Sequence, residues 1–382
     1  MVLKSSCRGE ISPFIVMEML RFANQRVAAG GDVLHLELGE PSAATPRLVM
    51  QRAHELLDQN LPGYTESLGI FPLRERIAAY YREHEGIAVP PGRIAVTTGS
   101  SGAFVLAFLA AFDVGDRVAL AMPGYPAYRN ILTALGVETV ALAVGPGTRF
   151  QPTVEMLEQV EGHLDGLIIA SPSNPTGTLL PYEEFRAIVD YCRGEGIRLI
   201  SDEIYHGITF GTAAVSALSF SDEAVVINSF SKYFAMPGWR LGWMVVPEDL
   251  LRAVESLSQN LFISSPCLSQ HAAMGVFDCL DELDANVATY ARNRAILLDG
   301  LPDAGFDRLA PSDGAFYLYA DVSELTNDSY DFCHRMLAET GVATTPGVDF
   351  DPVSGNCTIR LSFAAPVAAM EKAVHRLKDW KR

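Results

Sequence analysis

Short, almost wholly apolar runs, most followed by a turn signal and then by helical spacing, constrain the fold of this chain most. They fall at 93–98 (RIAVTT), 117–122 (RVALAM), 166–170 (GLIIA), 197–201 (IRLIS) and 224–228 (AVVIN), with 241–246 (LGWMVV) a further candidate. The stretch 181–191 (PYEEFRAIVDY) is one of the helical patterns between them. Strands apolar on both faces are buried on both faces, so the alternation predicts an α/β fold with a mostly parallel central sheet flanked by helices. In such sheets ligands sit beyond the C-terminal ends of the strands. The turns that follow the strands are therefore where chemistry is expected.

The chain of 382 residues is long for one ordinary domain. After about residue 285 strands become fewer: a helix over 281–301 leads to GAFYLYA at 314–320, a helix near 329–340, CTIRLS at 357–362 and a terminal helix. This predicts a large domain over 46–285 and a smaller α+β domain over 286–382. The net charge of −17 argues against nucleic acid or an anionic membrane as partner. The six cysteines are scattered without metal-ligand spacing, and no metal site is expected. With no apolar leader or membrane-length run, the expected location is the cytoplasm.

Four turns carry unusual residues. At 97–104 (TTGSSGAF), small residues and the hydroxyls of Ser100 and Ser101 open an apolar helix expected over 103–112; the turn is either a simple helix cap or an anion site. SPSNPTG at 171–177 is either a Pro/Gly turn or a device that projects the Asn174 amide, because an Asn before Pro is kept out of the helical region. SDEIY at 201–205 puts an acid at the end of a buried strand, as an N-cap or as a functional group. NSFSKYFAMPGWR at 228–240 holds Ser229, Ser231, Lys232 and Arg240. Lysine occurs otherwise only at 4, 372, 378 and 381, so Lys232 stands alone in the body of the chain.

SNPTG, then SDEIY, then SFSK with an arginine eight residues on, resembles the class I/II aminotransferases, fold-type I enzymes that use pyridoxal 5′-phosphate. LGEP at 38–41, Tyr64, PGYPAY at 123–128, GAFY at 314–317 and IRLS at 359–362 extend the resemblance over nearly the whole chain. The resemblance implies that segment 1–45 joins the small domain and that Lys232 forms the imine with the cofactor, which an arginine cannot do. It implies that Asp202 pairs with the pyridine nitrogen and that Asn174 and Tyr205 bond the ring's phenolic oxygen. Arg240, Ser229, Ser231, Ser100 and Ser101 would hold the phosphate, and Tyr125 would stack on the ring. Arg360 and Gly39 would hold the substrate α-carboxylate, so that its orientation decides which Cα bond breaks. Tyr64 would reach the phosphate of a neighbouring subunit, implying a homodimer with shared sites.

The function so implied is transfer of an amino group from an L-amino acid to a 2-oxo acid by a ping-pong mechanism. The alternatives are a C–S β-lyase on the same scaffold and, more remotely, a non-catalytic ligand-binding relative. No second basic residue for a dicarboxylate is evident, unless Arg21, Arg26, Arg292 or Arg294 faces the site. Segment 13–17 (PFIVM) offers an apolar cover, so a neutral or aromatic donor is expected. His35 and His206 read as packing or rim histidines, and Glu203 and Glu40 as solvated or locally paired.

Overall fold

The computed structural model describes residues 3–59 and 63–381. Near the start, helix α1 (Ile15–Ala28) precedes the two-residue strand β1 (Leu34–His35). The large sheet follows: β2 (Ile94–Thr97), β3 (Arg117–Met122), β4 (Glu138–Ala143), β5 (Gly166–Ala170), β6 (Arg198–Asp202), β7 (Val225–Ser229) and β8 (Gly242–Val245). Its spatial order is β2-β8-β7-β6-β5-β3-β4. Only β8 runs against its neighbours, pairing antiparallel with β2 and β7.

The sequence expectation missed β4. It is an edge strand with only one fully buried residue, so its apolar run is weaker than those of the covered strands. The helix expected over 103–112 begins earlier, at Gly99, and runs to Ala111. Ser100 and Ser101 therefore stand in its first turn, where backbone N–H groups have no partner within the helix.

In the C-terminal third, β9 (Arg308–Leu309), β10 (Tyr317–Asp321), β11 (Val342–Ala343), β12 (Thr345–Pro346) and β13 (Thr358–Ser362) follow the long helix Leu280–Gly300. The order β12-β13-β10-β9 is antiparallel throughout. β1 pairs in parallel with β11, setting Leu34 opposite Val342 and His35 opposite Ala343. This joins a segment near the start of the chain to strands near its end. One connected apolar core runs through both parts. No helix among the described residues is long and apolar enough to cross a membrane.

Candidate active site

The strands β2, β3, β5, β6 and β7 all end at one edge of the large sheet. A cavity of about 420 Å³ opens there. All the site residues named from the sequence line it except Ser229 and Tyr64. Ser229 is buried at the end of β7, and its Oγ accepts from the Ser231 N–H at 3.0 Å. Tyr64 is 86 % exposed, in a loop away from the cavity. A wider cleft of about 720 Å³ lies at the opposite ends of the strands, but its Arg93 and Arg198 are already paired with Asp222 and Asp249.

Asp202 ends β6 with a buried carboxylate. Its Oδ1 accepts the Ile204 N–H at 3.0 Å and its Oδ2 accepts the Tyr128 hydroxyl. Burial pushes its pKa up to about 6, against the opposing pull of these donors and of the His206 and Lys232 charges. Lys232 lies just beyond β7 and donates from Nζ to the Gly39 carbonyl oxygen at 2.5 Å. Its amine sits 5.7 Å from the Tyr205 ring centre and 5.9 Å from that of Phe316. Removal from water, then the Arg360 charge, pulls its pKa down to about 8. A neutral amine is the nucleophilic form.

One corner of the cavity depends on backbone geometry. Gly99 has φ +67°, and a Cβ there would lie 2.6 Å from Nη2 of Arg240. Glycine thus lets the guanidinium lie against the first turn that carries Ser100 and Ser101. Arg240 itself is left-handed at φ 52° and donates to the Pro237 carbonyl at 3.0 Å.

Arg360, in β13, also lines the cavity and is 4 % exposed. Its Nη1 donates to Asn174 Oδ1 at 2.9 Å and its Nη2 to the Glu37 carbonyl at 2.5 Å. The guanidinium lies 4.3 Å from the Tyr317 ring centre and 4.7 Å from that of Phe350. Its Nε is buried without a partner. The guanidinium thus keeps one buried donor that no protein acceptor satisfies. Tyr205 and Tyr317 join hydroxyls at 2.7 Å behind it.

Among the described residues, the cations lining the cavity are Lys232, Arg240 and Arg360. None of Arg21, Arg26, Arg292 and Arg294 reaches it; Arg26 is spent on the Ala338 carbonyl at 2.7 Å and Arg294 on that of Ser312 at 2.7 Å. Phe14, Val16 and Met17 do line it, as the apolar cover expected of segment 13–17. Glu203, expected to be solvated or locally paired, is fully buried. It accepts from the Ser201 hydroxyl and the Ala217 N–H, both at 2.9 Å, beside buried His206. Sequence reasoning assigned no role to Tyr128, Tyr317 or Asp349, although PGYPAY and GAFY contain the first two. Their partners are distant in sequence, and no local signal marks them.

A family model for aminotransferase class I and II matches residues 31–377. The chain belongs to the class I and II aminotransferases. It is 51 % identical over 377 residues to the valine–pyruvate aminotransferase of Mycobacterium tuberculosis, covering 98 % of this chain and 97 % of that one. It is 33 % identical over 373 residues to the (5-formylfuran-3-yl)methyl phosphate transaminase of Methanocaldococcus jannaschii, covering 96 % of each. Among solved structures, an aminotransferase from Mycobacterium tuberculosis superposes with a TM-score of 0.98 at 51 % identity, covering 99 % of both chains. The Thermus thermophilus aspartate aminotransferase with maleate gives 0.92 at 29 % identity, covering 99 % of this chain and all of the other. Aminotransferases exchange amino groups between amino acids and oxo acids, and those of class I and II generally depend on pyridoxal phosphate. The half-buried Lys232 amine, the buried Asp202 carboxylate and the glycine-opened corner beside Arg240 fit such a group.

Proposed function

We propose that the chain moves the amino group of a neutral, branched or otherwise apolar L-amino acid to a small 2-oxo acid, with pyridoxal 5′-phosphate held on Lys232. One observation carries this reading: the Lys232 amine, the Asp202 carboxylate and the Arg360 guanidinium, whose Nε has no protein partner, line one cavity. The cofactor supplies an electron-withdrawing ring for the pair left at the substrate Cα. Asp202 would hold the ring nitrogen's proton. Asn174 and Tyr205 would hydrogen-bond the phenolic oxygen, and Tyr125 would lie against the ring. Ser100, Ser101, Ser231 and Arg240 would hold the phosphate, with Ser229 supporting Ser231. Arg360 and the Gly39 backbone would fix the substrate carboxylate, and the Lys232 amine would move the Cα proton.

The valine–pyruvate relative at 51 % identity supports a valine-like donor and pyruvate as acceptor. So does the absence of a fourth cation among the described residues that line the cavity. Two further readings belong with it. Segments 1–45 and 286–382 form a small domain that closes on the large domain 46–285, and two chains pair so that Tyr64 reaches the partner's phosphate. Exposed Phe71, Leu261 and Ile263 supply apolar surface for that pairing.

The deciding experiment adds single amino acids to the holoprotein without an oxo acid and follows the absorbance of the bound cofactor. Valine should convert the band and pyruvate should restore it. A response to aspartate alone would defeat the donor assignment. Pyruvate and ammonia released with no acceptor present would defeat transamination itself.

A further inference from the structure

Helix α1 begins at Ile15 without a cap of its own, because the preceding residue, Phe14, has no side chain that can accept a hydrogen bond. The free N–H groups of such a first turn need acceptors. Asp349 provides them from the far end of the chain. Its Oδ1 accepts the Ile15 N–H at 3.0 Å and its Oδ2 the Val16 N–H at 3.2 Å, across 334 and 333 residues. Asp349 is 3 % exposed, closes the turn Gly347–Asp349 and lines the cavity itself. Its neighbour Phe350 lies under the Arg360 guanidinium.

The turn thus touches both the carboxylate grip and the cover. On the cover side, Phe14 stacks on Tyr125, with ring centres 6.0 Å apart and planes 17° apart. Val16 and Met17, in the first turn that Asp349 holds, complete the apolar wall. A carboxylate at that wall is also a like charge set against any substrate with a second carboxylate. Repulsion of this kind discriminates by disfavouring the wrong ligand.

We propose that Asp349 is a specificity-determining positioning residue: it clamps the start of α1 so that Phe14, Val16 and Met17 close over an apolar donor side chain, and its charge turns away acidic donors. This inference rests on the transaminase reading above. Valine then gains from the clamp far more than alanine, whose methyl group reaches little of the wall. An aspartate donor would bring its side-chain carboxylate towards Asp349 in a cavity that screens charge less than water does.

The test uses holoprotein carrying Asp349→Ala or Asp349→Asn. Amide hydrogen exchange over residues 14–20 reads the clamp. Conversion of the cofactor band by valine, alanine and aspartate, without an oxo acid, reads the donor preference. Asp349→Ala should speed exchange at Ile15 and Val16 at least tenfold and lower kcat/KM for valine about tenfold more than for alanine. Asp349→Asn keeps one acceptor oxygen but no charge. It should rescue most of the valine preference while raising the aspartate-to-valine ratio at least fivefold. Unchanged exchange in Asp349→Ala, or equal losses for valine and alanine, overturns the proposal. If no amino acid converts the wild-type band, the transaminase reading fails and takes donor selection with it, while the exchange measurement still decides whether Asp349 holds α1.

Discussion

Lys232 and Gly39, 193 residues apart, meet in a 2.5 Å hydrogen bond from the lysine Nζ to the glycine carbonyl. The large sheet supplies the amine, and the segment after β1 supplies the acceptor. Gly39 can lie there only as glycine, since a Cβ would run into the Tyr317 hydroxyl. That hydroxyl in turn bonds Tyr205. The amine is therefore held in place by the same small set of groups that surrounds the expected reaction centre.

Replacing Lys232 with alanine should abolish the bound-cofactor band and lower turnover by at least about a thousandfold, within the range general acid–base and covalent roles supply. Lys232→Arg should do no better despite its charge. Full activity in either variant would remove Lys232 from the chemistry.

The amine's lowered pKa predicts how the cofactor-free protein takes up pyridoxal phosphate. With a folded value of about 8, the reactive neutral form accumulates as pH rises through 8. The uptake rate should climb from pH 6.5 and level off above about 9. A midpoint near that of a free lysine, above pH 10, would mean that the cavity does not perturb the amine.

Asp202 predicts a stability effect of opposite character. Its folded pKa is raised from 3.8 to about 6, so between these values the folded state holds more protons than the unfolded one. Stability of the cofactor-free protein therefore falls as pH rises from about 4 to 6, and the penalty is complete above 6. Two pKa units correspond to about 3 kcal/mol. Asp202→Asn should accordingly stabilise the cofactor-free protein near pH 7 by up to about that amount and not at pH 3.5, while weakening cofactor binding. Chemical denaturation at the two pH values checks it; equal effects at both would refute the buried-charge account.

Tyr128→Phe removes the hydroxyl that Asp202 Oδ2 accepts. A hydrogen bond to a charged group contributes about 1.5–3 kcal/mol, so affinity for pyridoxal phosphate should drop roughly 10- to 100-fold. Equilibrium dialysis reads this directly. An unchanged Kd would show that Tyr128 only fills space.

Arg360→Ala should reduce kcat/KM for every donor by roughly 30-fold to several thousandfold, the range for truncating one partner of a buried charge pair at about 2–5 kcal/mol. Cofactor content should stay near that of the wild type. Arg360→Lys should recover only part, because an ammonium cannot bond a carboxylate with two parallel donors. Loss of cofactor in both variants would place Arg360 on the cofactor rather than the substrate.

Much of the fold was legible because strands covered on both faces must be apolar almost throughout. The run read at 166–170 coincides with β5, and that at 117–122 with β3. Half-exposed β4 lacked that signature. The helix at Gly99 began before the reading placed it because its first turn, GSSG, is chosen for exposed N–H groups and not for apolar spacing. Within the site, Lys232 stood out as the one lysine between positions 4 and 372. Asp349 had no such mark: its partners lie more than 330 residues away, and an acid in a turn is unremarkable until a helix start is found against it. Of the two readings of Glu203, the local pairing holds, with Ser201 and His206, and the solvated one does not, because a sequence does not reveal which buried backbone N–H will meet a carboxylate.

The pairing of β1 with β11 also imposes an order of events on biosynthesis. At roughly 5–20 residues per second, the ribosome needs on the order of ten seconds to pass from β8, which completes the large sheet, to Arg360. During that interval Lys232 and Asp202 already exist, but the strand that seats Gly39 has nothing to pair with. The nascent chain can thus assemble the proposed cofactor place before the proposed carboxylate grip exists.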